Sequence, residues 1–89
     1  MKIKVRFLQR AGELVPNDKK VITVELHENS TLKNLLEYIR DKISRRLGEG
    51  IIEKRLILTI LVNSRVVGNL NYELEGGDSV VFLSPEMGG

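Results

Sequence analysis

The residues with the most distinctive chemistry in this 89-residue sequence are its last two, Gly88 and Gly89. Glycine has no Cβ, so a diglycine threads a channel too narrow for any other residue. Before it runs Ser84-Pro85-Glu86-Met87. Pro85 fixes its own φ and biases Ser84 toward extended backbone, which holds the tail away from the body. Residues 84–89, fully extended, span at most ~20 Å. Such a tail offers its terminal carboxylate to an enzyme that reaches along it. A carboxylate is a poor electrophile until it is activated. Transfer to ATP as an acyl-adenylate supplies a leaving group, and a sulfur nucleophile then gives a thiocarboxylate or thioester. The sequence has no cysteine, so the nucleophiles and the ATP site must belong to partners.

Little else in the chain points to chemistry of its own. The absence of cysteine excludes disulfides, thiolate metal sites and a cysteine nucleophile. A single histidine, His27, excludes a multi-histidine metal site and reads as a surface residue. Glu25, Glu28 and Glu37 show no pairing pattern for acid–base work. Glu75-Gly76-Gly77-Asp78 has the glycines of a phosphate cradle, but no helix start follows, so it reads as a plain turn. Lys42, Arg45 and Arg46 read as a solvated helix end. Fourteen Lys+Arg against twelve Asp+Glu leave a net charge of +2, too balanced to signal nucleic-acid binding by bulk charge. Aromatics at 4% supply no base-stacking platform. No apolar run reaches the roughly 18 residues of a membrane span, and the N-terminus alternates charge with apolar groups instead of forming a leader. The expectation is a cytoplasmic protein that is not an enzyme, holds no metal or cofactor, and contacts neither membrane nor nucleic acid directly.

The elements that must carry the tail follow from periodicity. Residues 2–8 alternate, with Ile3, Val5 and Phe7 on one face and Lys2, Lys4 and Arg6 on the other, which predicts a strand. Residues 9–20 carry Gly12, Pro16, Asn17 and Asp18 and predict a loop. Residues 21–26 predict a second strand, paired antiparallel with the first. Ser30 is a suitable N-cap, with Lys33 leaving a capping box incomplete. Leu32, Leu35, Leu36, Ile39, Ile43 and Leu47 then make one apolar stripe, so a helix over 30–47 is expected, with Gly48 and Gly50 as its stop. Residues 51–55 fit no element. Residues 56–62 are apolar on both faces apart from Thr59, as in a central, doubly covered strand. Val66 and Val67 suggest a short return strand, and residues 79–83 the last one. One helix must cover one face of the sheet for either to bury its apolar side. The expected fold is therefore α+β, a ubiquitin-like β-grasp roll with a mixed sheet of four to five strands packed on one main helix. The first and last strands lie side by side in its middle. Residues 1–83 form the domain and 84–89 an exposed tail ending in the diglycine.

With those elements placed, the sequence resembles the MoaD/ThiS-type sulfur carrier superfamily. The resemblance rests on Val62-Asn63, on Leu74 followed by the Gly77-Asp78 turn, on Val80-Val81-Phe82, and on the terminal Gly88-Gly89. Lys4-Val5-Arg6-Phe7 and Ser30-Thr31-Leu32 match as well. Tyr72-Glu73-Leu74 and the run from Asp78 to Ser84 are most similar to the ubiquitin-related modifier and small archaeal modifier proteins. The resemblance implies a carrier whose Gly89 carboxylate, with Gly88 beside it, is adenylated by a ubiquitin-activating-type enzyme using ATP and Mg. The product is a thiocarboxylate that delivers sulfur, or a carrier joined to lysines of target proteins. The partners implied are that activating enzyme and a sulfur-accepting synthase or tRNA thiolation enzyme. Pterin-pathway carriers commonly carry two prolines before the diglycine; the single Pro85 leaves open tRNA thiolation, molybdopterin synthesis, thiamine synthesis and protein modification.

A second candidate site comes from alternation. If Val80 and Phe82 point into the core, Val81 and Leu83 point to the open face of the sheet. With Leu8 from the neighbouring strand and Met87 in the tail they would form an apolar patch beside the reactive terminus, where the activating enzyme docks. The competing expectation is that the 9–20 segment covers this face. The rival function is a β-grasp module that binds protein or RNA without covalent chemistry.

Overall fold

The computed structural model describes residues 1–84. Five strands form one mixed sheet: β1 (Lys2–Phe7), β2 (Val21–Glu25), β3 (Thr59–Val62), β4 (Arg65–Val66) and β5 (Ser79–Leu83). Their spatial order is β2-β1-β5-β3-β4. β1 and β5 run parallel at the centre, with Val5 opposite Val80 and Phe7 opposite Phe82. β2 pairs antiparallel with β1, and β3 antiparallel with both β5 and β4. The central placement of the first and last strands is as the sequence predicts. Ile3, Val5, Phe7, Val80 and Phe82 are all buried on the inner face. The Phe7 and Phe82 rings stack with centroids 5.4 Å apart.

The single long helix is not observed. Two helices cover the inner face, α1 (Leu32–Lys42) and α2 (Arg45–Ile52). The helix starts one residue later than Ser30 suggests. The Thr31 hydroxyl accepts from the Asn34 N–H and the Asn34 side chain accepts from the Thr31 N–H, a closed capping box. The break falls at Ile43 and Ser44, whose N–H groups both donate to the Ile39 carbonyl, at 2.9 and 2.8 Å. Ser44 then takes extended backbone (φ −153°, ψ 107°) and its hydroxyl accepts from the Leu47 N–H, capping a new helix. Leu32, Leu35, Leu36 and Ile39 are fully buried, as the stripe predicts. Leu47 is also buried, but from α2, and Ile43 only partly.

Gly48 does not end a helix; it lies inside α2 at the contact with α1. A Cβ built there would sit 2.5 Å from the Arg40 backbone nitrogen, so the two helix backbones meet at a distance only glycine permits. Residues 51 and 52, unassigned in the sequence reading, complete α2, and Ile51 joins the core.

Two further expectations are corrected. The 9–20 segment is not plain loop: it holds two short 3-10 helices, Gln9–Leu14 and Asn17–Lys19, and buries Ala11 and Val15 in the core. The 56–62 run is not a doubly covered strand. Only Thr59–Val62 pairs, with Ile60 and Val62 buried and Leu61 facing outward and half-buried, while Ile57 is exposed. The β3–β4 hairpin turns through Asn63 (φ 51°) and Ser64 (φ 71°), the positive-φ pair of a two-residue turn whose twist matches its strands.

Candidate functional site

The outer face of the sheet carries the alternate residues of every strand, and register decides which of them meet. Arg6 pairs with Val21 on one side and Val81 on the other. Val81 pairs with Leu61, and Leu61 with Val66. One row of the open face therefore reads Val21-Arg6-Val81-Leu61-Val66. The adjoining row holds Leu83 opposite Thr59. Leu8 extends the β1 alternation into that row, because its N–H donates to the Phe82 carbonyl at 2.8 Å and continues the parallel ladder. Leu8, Val81 and Leu83 are thus brought together. Met87, Gly88 and Gly89 lie outside the described residues.

Exposure separates this face from the inner one. Val66 is 73% exposed, Val21 61% and Leu8 43%, while Leu61, Val81 and Leu83 are half-buried by their neighbours. The 9–20 segment does not take Leu8 under cover: its buried side chains point into the core, and the segment touches α2 and β5. The result is an apolar band across β5, β3 and β4, bordered along β1 by Lys2, Lys4 and Arg6, all exposed. Exposed large apolar residues are ordinary singly; here they are contiguous, which makes the band a candidate contact surface. Alternation within β5 and β1 does not bring Leu61, Val66 and Val21 into this patch; pairing does. The signal for Val66 and Leu61 was their apolar character on either side of the Asn63-Ser64 turn, but their face follows only from pairing with Val81.

The Gly-Asp turn before β5 serves the architecture. Asp78 is buried, accepts from the Asn63 side-chain amide at 2.9 Å with one carboxylate oxygen, and from the Glu75 N–H at 2.8 Å with the other. The Asn63 side-chain oxygen accepts from the Ser79 N–H at 3.0 Å. Asp78 and Asn63 thereby lock the β3–β4 turn to the start of β5. Gly77 enters this turn at φ 91°. No role in phosphate binding is needed to explain these residues.

At the other end of β5, Ser84 is not an exposed tail residue. It is 9% exposed, and its hydroxyl oxygen accepts from the Arg10 N–H at 2.9 Å. The end of β5 is thus held against Leu8 and the first 3-10 helix.

Titratable groups with displaced proton affinity lie elsewhere. A hydrogen bond from the N-terminal ammonium, 2.8 Å away, holds the Glu25 carboxyl below its ordinary range. A hydrogen bond from Arg40 does the same for Asp41, and raises Arg40 in return. Glu25 and Asp41 are exposed and Arg40 is half-buried, all on elements other than those of Leu8, Val81 and Leu83. Among the described residues no group of three or more His, Cys, Asp or Glu side chains is placed to hold a metal. None of their helices is long and apolar enough to cross a membrane.

Comparison with known proteins agrees with the fold. The model of the Urm1 (ubiquitin related modifier) family matches residues 2–89. A ubiquitin-related modifier 1 homolog of Dictyostelium discoideum is 28% identical over 97 residues, spanning the whole of both chains. Among solved structures, a chain of the complex of subunits 1 and 2 of molybdopterin-converting factor from Helicobacter pylori is 27% identical at a TM-score of 0.65, with both chains covered completely. The solution structure of Urm1 from Trypanosoma brucei superposes at a TM-score of 0.71 over 99% of this chain and 95% of that one; at 22% identity this likeness concerns the fold.

Proposed function

The chain belongs to the Urm1 (ubiquitin related modifier) family of ubiquitin-like sulfur carriers and modifiers, which are not themselves enzymes, and on that premise we propose how its terminus is used. The Gly89 carboxylate is the group that is activated. A ubiquitin-activating-type partner, with ATP and Mg, lets a carboxylate oxygen attack the α-phosphorus, and pyrophosphate leaves. A sulfur nucleophile supplied by a partner then attacks the carbonyl carbon and AMP leaves, on the way to a thiocarboxylate. Attack by a target lysine instead gives an isopeptide. The sulfur acceptor is a synthase or a tRNA thiolation enzyme. ATP-dependent activation of this kind belongs in the cytoplasm.

The observation that carries this reading is the apolar band beside the end of β5. Leu8, Val81 and Leu83 lie at the C-terminal end of β5, with Leu61 next to them. A partner docked on that band holds the body while its channel takes the last residues. Apolar anchors at the centre of such an interface dominate its affinity, and the apolar Met87 side chain is a further anchor for that partner. Gly88 and Gly89 are the residues a narrow channel admits.

The test is ATP–pyrophosphate exchange with the activating enzyme from the same cells. Deletion of Gly88-Gly89 abolishes exchange and leaves the melting temperature unchanged. Gly88→Ala also lowers exchange severely, because a Cβ in a tight channel has no room to relax. A deleted protein that still complements the null strain overturns the carrier reading in favour of a non-covalent binding module.

A further inference from the structure

We infer that Ser84 is a positioning residue that fixes the root of the C-terminal tail for the activating enzyme, an inference that rests on the terminal activation proposed above. β5 makes its last ladder contact at Leu83, opposite Thr59. A strand end fraying from there would let the tail start from a moving point. Instead the strand end is gripped from β1 and its extension, once within the ladder and once beyond it. Leu8 N–H donates to the Phe82 carbonyl at 2.8 Å, and Arg10 N–H donates to the Ser84 hydroxyl at 2.9 Å.

The second grip requires an unusual backbone. Gln9 takes φ 53°, a left-handed conformation that is uncommon for a non-glycine residue. It turns the chain out of β1 into the first 3-10 helix, and Arg10, the residue after it, is the one that bonds Ser84. That helix is itself anchored by buried Ala11 and Gly12. A Cβ at Gly12 would meet the Phe7 carbonyl at 3.0 Å, so the turn is folded tightly onto the end of β1. A buried serine hydroxyl thus joins two segments 74 positions apart in the chain, at the last described residue before Pro85.

The consequence is geometric. Five residues beyond Ser84 reach at most ~17 Å. With the root fixed, the terminal carboxylate is confined to a small volume once the open face is docked. Without the bond one more residue joins the tail, and its freedom must be lost at each productive encounter. Docking strength itself is set by the apolar band and is unaffected.

The experiment measures exchange kinetics with the activating enzyme for wild type, Ser84→Ala and Ser84→Thr, with thermal melting of each. Ser84→Ala is expected to lower kcat by roughly 5- to 30-fold at unchanged KM for the carrier. Ser84→Thr keeps the hydroxyl and restores most of kcat. A merely structural serine would shift the melting temperature and leave kcat alone. Wild-type exchange with an unaltered Ser84→Ala overturns the inference by itself, and so does a raised KM at constant kcat. A wild type that supports no exchange overturns the activation reading and this inference with it.

Discussion

The two faces of the sheet are made by the same strands, residue by alternate residue, yet they answer to different demands. On the inner face Ile3, Val5, Val80 and Phe82 are sealed by α1 and α2, and every buried side-chain polar atom among the described residues has a partner. On the outer face Val81 and Leu83 of β5 and Leu61 of β3 lie one position out of phase, half-buried by their neighbours and not covered by either helix. Burying one face is what folding requires of a two-layer α+β domain. Apolar residues on the other contribute less to folding, and their grouping at the end of β5 is what the proposed docking of a partner uses. Substitutions on the inner face should therefore read out in stability, and those on the outer face in activation.

The largest expected effect tests the inner face. Leu36 and Ile39 are fully buried on α1, directly over the sheet. Replacing either with Ala should cost about 2–5 kcal/mol in denaturant unfolding, from lost transfer energy and the cavity left behind. A loss below about 1 kcal/mol at both would mean that α1 does not seal this face.

Gly48→Ala comes next, and it probes how the cover itself is built. In an isolated helix the change would gain about 1 kcal/mol. Here the new methyl would lie 2.5 Å from the Arg40 nitrogen and 2.7 Å from its Cα, both backbone atoms that cannot step aside. Overpacking of this kind costs about 1–3 kcal/mol. The expected result is net destabilisation in thermal melting. A stabilised variant would show that α1 and α2 separate freely, and that the inner face is less firmly closed than the burial of Leu47 implies.

These same residues show where the sequence was and was not legible. β1 and β5 could be read directly, because strict alternation fixes their faces and the Gly77-Asp78 turn fixes where β5 begins. The helix break could not. Ser44 falls within a continuous apolar stripe, and its capping bond to Leu47 competes with helix continuation only once α2 has somewhere to pack. Gly48 looks like a stop because glycine commonly is one; its real use is a close approach visible only between two helices. On the open face, Leu8, Val81 and Leu83 follow from alternation alone. Leu61 does not, since a run apolar at nearly every position hides which side is covered. Its place beside Val81 is a property of register. Ser84 read as tail because the partner of its hydroxyl, Arg10, lies at the far end of the chain.

Val81→Asp has the smallest expected effect on stability and tests the outer face most directly. Val81 is half-buried between Arg6 and Leu61. An aspartate there loses modest apolar contact and gains a cation across the strand, so unfolding should move by less than about 1 kcal/mol. Activation should respond differently. A partner seated on the apolar band would have to desolvate a carboxylate at the centre of the contact, and a charge buried there without a matched group is costly. The expected outcome is a fall in kcat/KM of roughly 10- to 100-fold, carried mainly by KM for the carrier. Thr23→Asp lies on the same face beside Lys4, a row away toward the other end of β1, and should leave exchange close to wild type. If both variants behave alike, the outer face has no privileged region. If Val81→Asp unfolds the protein as readily as Leu36→Ala, the division of labour between the faces is wrong.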